Sequence, residues 1–191
     1  YDDIPELLSV SLGAAETTLL NLTSAYASFV NGGKKINPTL ISRIQDRRGK
    51  TIFSLKNRKC NGCDKFINEN EKLPSIENTN IRVFSEETAY QMVSILNGTV
   101  KRGTAKKLKS LNVPLAGKTG TTNKNFDAWF IGFSSNLVIG VYIGFDNPQT
   151  LGKFETGSKA ALPIFKNFIE SALFKNDFKE FKVPENIYLT S

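Results

Sequence analysis

The sequence contains no histidine in its 191 residues. Ser-His-Asp triads, His-led metal sites and imidazole general bases are therefore excluded from this chain. Any chemistry it carries falls to Lys, Ser, Thr, carboxylates, Cys or the backbone. Long apolar runs are lacking too. The longest, Leu137 to Phe145, has nine residues, too few to cross a bilayer as a helix. Cysteine is scarce, with two residues, and methionine and tryptophan occur once each. Acids are outnumbered, 18 against 25 Lys and Arg, for a net charge of +7. A basic balance suits an anionic surface, but only as a weak prior. With 40% hydrophobic and 23% charged residues, a wholly disordered chain is excluded and one ordinary domain with a core is supported. The start, Tyr1-Asp2-Asp3, is neither Met nor a signal peptide. The sequence thus reads as a piece of a longer protein, with any export signal or membrane anchor expected upstream.

No internal repeat is evident. Thr17 or Thr18 caps an expected helix whose apolar stripe is Leu22, Ala25, Tyr26 and Phe29. Asn31-Gly32-Gly33 stops it, because glycine tolerates the left-handed C-terminal conformation. Thr39 to Gln45 and Thr51 to Leu55 read as two short strands around the polar turn Asp46-Arg47-Arg48-Gly49. From about 56 to 80 lies a polar excursion with six asparagines, expected to be mobile. Ser85-Glu86-Glu87 suits a helix N-terminus, followed by the stripe Ala89, Met92, Val93, Leu96 and Val100. Leu115 to Thr122 is extended. Asp127 to Phe133 and Leu137 to Phe145 should form an antiparallel hairpin around Ser134-Ser135-Asn136. Gly132, Gly140 and Gly144 suggest a close approach to that sheet. A last helix is expected from about Lys159 to Leu173, with the stripe Ala161, Ile164, Phe165, Phe168 and Ala172 and Pro163 in its first turn. A hairpin followed by a covering helix predicts a layered α+β domain.

The sharpest segment is Gly117-Lys118-Thr119-Gly120-Thr121-Thr122. Gly117-Lys118-Thr119 matches the end of a P-loop, but the first glycine of that motif would fall at Asn112. A P-loop also opens a helix, whereas β-branched residues and strands follow here. A nucleotide-binding P-loop stays as an alternative. The other chemistry is carboxylate recognition beside an acyl-transfer site. On a strand, Thr119 and Thr121 share one face and Lys118 and Gly120 the other. Two hydroxyls and an ammonium suit a carboxylate. Gly120 leaves the backbone unobstructed, so a free N–H on an edge strand can stabilise an oxyanion.

The segment runs on through Phe126-Asp127-Ala128-Trp129-Phe130-Ile131-Gly132-Phe133, then Gly140-Val141-Tyr142-Ile143-Gly144-Phe145-Asp146, Thr156-Gly157, and Ala160-Ala161-Leu162-Pro163-Ile164-Phe165. With Leu12-Gly13-Ala14, Thr23-Ser24-Ala25-Tyr26, Asn31-Gly32-Gly33, Gly98-Thr99-Val100 and Gly103-Thr104-Ala105 upstream, this resembles the C-terminal half of the transpeptidase domain of class A penicillin-binding proteins. The resemblance implies an α+β fold, an antiparallel sheet covered by helices and incomplete at its N-terminal side. Residues 1–191 would be the C-terminal portion of one transpeptidase domain.

The family uses Ser-x-x-Lys, Ser-x-Asn and Lys-Thr-Gly. No serine here has Lys three residues later, so the nucleophile is expected outside this chain. Ser110-Leu111-Asn112 and Ser134-Ser135-Asn136 fall at the wrong places and read as coincidences. By resemblance, Lys118 lies beside the nucleophile and helps hold it electrostatically. Thr119, Gly120 and Thr121 form the substrate strand, with both hydroxyls on the carboxylate of a peptide stem or a β-lactam. The Thr121 backbone N–H is one of two oxyanion donors. Gly103-Thr104 would line the cleft rim. The intact enzyme would be a serine-type D,D-transpeptidase of peptidoglycan synthesis. It would be anchored in the cytoplasmic membrane with its catalytic domain in the periplasm, and this chain alone would be inactive. No metal or organic cofactor and no nucleic-acid partner is implied. A non-catalytic scaffold remnant of the same fold remains a further alternative.

Cys60-Asn61-Gly62-Cys63 is half a zinc site without a second pair. Asn-Gly suggests a type I′ hairpin tip, which would set the cysteines across from each other within disulfide range. A local disulfide is the first expectation, two free thiols the second and an intermolecular metal the last. Lys101, Arg102, Lys106, Lys107 and Lys109 read as a solvated face, with anionic wall polymer or lipid headgroups as the alternative.

Overall fold

Helix signals at the N-terminal side are realised where the capping chemistry puts them. In the computed structural model, the Thr18 hydroxyl accepts the Asn21 N–H at 3.2 Å, and helix α1 runs Leu19–Val30. Ser85 likewise accepts from Thr88 N–H at 3.1 Å and starts helix α2, Glu86–Arg102. Each cap satisfies a donor that the first helical turn leaves without an internal partner. The structure describes residues 6–13, 15–55, 58–63, 73–78, 80–172 and 178–189. Ala14 and Leu173, named above, lie outside them.

Seven strands occur among the described residues. β1 (Arg43–Gln45) and β2 (Thr51–Ser54) form one antiparallel pair. β1 is shorter than the expected Thr39 to Gln45. Its partner offers no strand beyond Ser54, so the start of that run has no ladder to join. β3 (Arg58–Asn61) pairs antiparallel with β4 (Ser75–Asn78). Part of the expected polar excursion is therefore a ladder; residues 56–57, 64–72 and 79 lie outside the described residues.

The central sheet is β5 (Ala116–Thr121), β6 (Ala128–Phe133) and β7 (Val138–Ile143), antiparallel in that order. β6 and β7 are the expected hairpin. Phe130 opposes both Thr119 and Val141. Side chains alternate across this sheet, which gives it two covered faces. Phe130 turns to helix α3 (Ala161–Ala172) and meets Phe165 edge-to-face at 5.1 Å. Phe133 turns the other way, to Tyr26 of α1 at 6.4 Å and to Phe181 of the C-terminal segment at 5.9 Å. One core thus joins Leu108, Leu115, Phe130, Leu162 and Phe165, and a second joins Val93, Leu96, Ala116 and Phe133.

Helix α3 corrects the expected stripe. Ala161, Leu162, Phe165 and Ile169 are buried, while Ile164 is 50% and Phe168 46% exposed. The buried line is rotated because Leu162 and Phe165 point at the sheet. The helix also begins two residues later than expected, after turns at 157–160, which keeps Pro163 in its first turn. The glycine expectation has a physical basis at Gly132: a Cβ there would lie 2.5 Å from the Phe165 ring and 2.6 Å from Phe130. Phe165 can approach the sheet this closely only because that position is bare.

Candidate active site on the β5 edge

β5 is an edge strand, and its outer edge faces α2. The Asn97 side-chain amide donates to the Leu115 carbonyl at 2.7 Å, and the Thr99 hydroxyl donates to the Gly117 carbonyl at 2.6 Å. These two side chains satisfy backbone acceptors that β6 does not reach. The next outward carbonyl, Thr119, accepts from the Lys118 Nζ at 2.7 Å. In an antiparallel ladder the N–H and C=O of one residue point to the same edge, and successive residues alternate. The Thr121 N–H therefore belongs to the same outer edge, while the Thr122 N–H turns inward to the Asp127 carbonyl at 3.1 Å. The Lys118 ammonium and the Thr121 N–H consequently share one side of the strand. Lys118 is exposed and Gly120 half-buried.

The two threonine hydroxyls lie on the opposite face from the Lys118 stem, and each has a partner. Thr119 Oγ1 is 3.1 Å from Thr104 Oγ1. Thr121 Oγ1 accepts the Gly157 N–H at 3.0 Å, which leaves its own O–H to donate elsewhere. Gly157 fits closely over the strand. A Cβ there would collide with the Trp129 carbonyl and come within 2.7 Å of the Gly120 carbonyl. Lys118, Thr119, Gly120 and Thr121 are thus brought together on one edge, and Thr104 joins them from the turn after α2. Gly117 and Thr119 lie within a strand that continues into β6, not at a strand-to-helix turn. The geometry that lets a P-loop wrap phosphate is not what they form.

Thr99 and Gly157 entered the sequence reading only within resembling segments, and neither their contacts to β5 nor that of Asn97 was expected. Leu96 and Val100 lie one turn apart, so polar residues between them are ordinary for a helix and gave no signal of these contacts. Beside the sheet, Trp129 and Tyr142 pack at 4.7 Å, and the Tyr142 hydroxyl donates to Asp127 Oδ1 at 2.9 Å. That bond, together with desolvation and the negative charge of Asp127, pushes the Tyr142 phenol above its ordinary pKa.

Cys60 and Cys63 are joined in a disulfide with Cα atoms 5.8 Å apart. The surrounding geometry differs from a two-residue hairpin. Cys60 pairs with Ile76 in the β3–β4 ladder, so Asn61-Gly62 is not a turn between paired strands that carry the cysteines. The bond ties the end of β3 to the two residues that follow it, far in sequence from β5. Among the described residues, no helix is long and apolar enough to cross a membrane.

Comparison with known proteins places this architecture. The family model for the penicillin binding protein transpeptidase domain matches residues 5–170. Penicillin-binding protein 1A of Rickettsia bellii is 40% identical over 190 residues, covering 98% of this chain and 24% of that protein. Penicillin-binding protein 1A of Neisseria meningitidis serogroup A is 34% identical, over 97% of this chain and 21% of that protein. The chain thus spans about a quarter of the length of such curated relatives. Among solved structures, penicillin-binding protein 1A from Haemophilus influenzae superposes with a TM-score of 0.73 at 29% identity, covering 96% of this chain and 30% of that one. PonA1 of Mycobacterium tuberculosis in complex with penicillin V, at 20% identity and a TM-score of 0.70, shares the fold.

Proposed function

This chain belongs to the penicillin binding protein transpeptidase domain family, and on that premise we propose that it forms the C-terminal portion of a serine-type D,D-transpeptidase domain of a class A penicillin-binding protein. The observation that carries the proposal is the β5 edge, which gathers an ammonium, two hydroxyls and an outward backbone N–H within Lys118–Thr121. In this reaction a serine Oγ, supplied from outside these 191 residues, attacks the carbonyl of the penultimate D-Ala in a peptidoglycan stem. The C–N bond breaks, the terminal D-Ala leaves as an amine with the proton, and an acyl-enzyme remains. An amine of a neighbouring stem then attacks that ester and the serine is released.

The chain's own residues act on the substrate and on charge. Thr119 and Thr121 donate hydroxyl protons to the substrate carboxylate. The Thr121 N–H stabilises the tetrahedral oxyanion, which gains most from donors fixed before charge develops. Lys118 lies along the same edge, where its positive charge favours both the activated serine and the anionic substrate. A β-lactam carrying a carboxylate enters the same site as a substrate mimic. The intact protein works at the periplasmic face of the cytoplasmic membrane, anchored by a segment upstream. No serine in this sequence precedes a lysine by three positions, which supports a nucleophile outside the chain. The intact protein should therefore take up a fluorescent penicillin covalently, and the 191-residue chain alone should take up none. A stoichiometric, denaturation-resistant label on the 191-residue chain overturns this assignment, as does an intact protein that stays unlabelled.

A further inference from the structure

Thr99 joins two pieces of the site that are distant in sequence. Its hydroxyl holds the Gly117 carbonyl at 2.6 Å, one residue before Lys118. Its own carbonyl accepts both the Gly103 and the Ala105 N–H, each at 3.0 Å. These two bonds end α2 and turn the chain so that Thr104 faces β5. Gly103 makes the turn possible, because a Cβ there would lie 2.8 Å from the Thr99 Cα. Ala105, fully buried, pins the far side of the turn. Thr104 Oγ1 then lies 3.1 Å from Thr119 Oγ1.

We infer that Thr104, set by Thr99, is a positioning residue that aims the Thr119 hydroxyl proton at the substrate carboxylate. The inference rests on the carboxylate-binding role proposed for Thr119. Each hydroxyl carries one proton and accepts through two lone pairs. A carboxylate can only accept, so Thr119 must spend its single proton on it. Thr119 cannot then donate to Thr104. The bond between them survives only with Thr104 as donor, and that direction occupies a Thr119 lone pair and polarises its O–H outward. Carboxylate binding and the Thr104–Thr119 bond therefore reinforce each other. A substrate whose carboxylate is replaced by a neutral ester, a weaker acceptor, gains less from Thr104.

The test compares two probes on the full-length protein: a penicillin with a free carboxylate, and the methyl ester of the same compound. The readout is the second-order rate of acylation, followed by covalent labelling. Thr104 is exposed, so Thr104→Val and Thr104→Ala should both fold, as checked by thermal melting. Either should slow acylation by the free acid about 5-fold, the size of one neutral hydrogen bond. Acylation by the ester should stay within about two-fold of wild type, the range of a surface change. Thr104→Ser, which keeps the donor, should restore the free-acid rate. Equal loss with both probes would reduce Thr104 to a structural prop, and no loss with either would remove it from the site altogether; each result overturns the inference while leaving the acyl-enzyme intact. A wild-type protein that reacts with neither probe overturns the proposed function, and this inference with it.

Discussion

At the scale of single residues, the β5 edge is a problem in allotting donors. Outward carbonyls at 115, 117 and 119 are taken by Asn97, Thr99 and Lys118, so the outward acceptors are paired up to the point where the strand meets Thr121. Which residues of β5 share a face was legible from alternation, while the roles expected of Lys118, Thr119 and Thr121 came from the family resemblance. The Thr104 contact was not, because fifteen residues separate it from Thr119 and only the turn anchored by Thr99 closes that gap. Tyr142 offers a residue-scale prediction. Its phenol is raised first by donating to Asp127, so the neutral form is the stabilised one. That contribution is complete below the ordinary tyrosine pKa of about 10 and is lost as pH rises through the higher folded value. In Asp127→Asn the Tyr142 titration, followed by phenolate absorbance, should move down towards the ordinary range. An unchanged titration would mean that the Asp127 contact does not set it.

At the scale of elements, the caps at Thr18 and Ser85 and the apolar run of β6 marked the starts of α1 and α2 and the extent of β6 within a residue or so, because each signal is local. Helix α3 was harder. Ile164 and Phe168 are as apolar as Leu162 and Phe165, so composition left two stripes available and the sheet chose between them. Bare Gly132 accepts the Phe165 ring, whereas Phe168 stays half-exposed. The β3–β4 pairing was likewise illegible, since Asn61-Gly62 signals a tight local turn while the true partner strand starts at Ser75. The corrected stripe has a direct consequence. Phe165→Ala should cost about 3–5 kcal/mol, by lost burial and a cavity at the sheet. Phe168→Ala should cost about 1 kcal/mol or less, as a half-exposed change. Urea unfolding of the 191-residue chain, read through its single tryptophan at Trp129 on β6, separates the two. Equal costs would contradict the packing of α3 described here.

At the scale of the whole molecule, two helical faces clamp a sheet that has β5 at one edge. α3 covers the Phe130 side, α1 supports β7, and α2 lies along β5. This arrangement makes the site a feature of an edge: β6 pairs the inner side of β5 and α2 holds its first half, so the last residues of the strand are presented outward. The fold class followed from the sequence because an antiparallel hairpin with a covering helix has few packing solutions. The most direct measurement is the acylation rate of the intact protein by a penicillin, with Lys118→Ala set against Lys124→Ala, the latter an exposed lysine outside β5. A charge-assisted hydrogen bond is worth roughly 1.5–3 kcal/mol, so Lys118→Ala should slow acylation about 10- to 150-fold with little change in melting temperature. Lys124→Ala should acylate at the wild-type rate. If Lys118→Ala folds normally and acylates as fast as wild type, the β5 edge is a structural strand and not the carboxylate side of an active site.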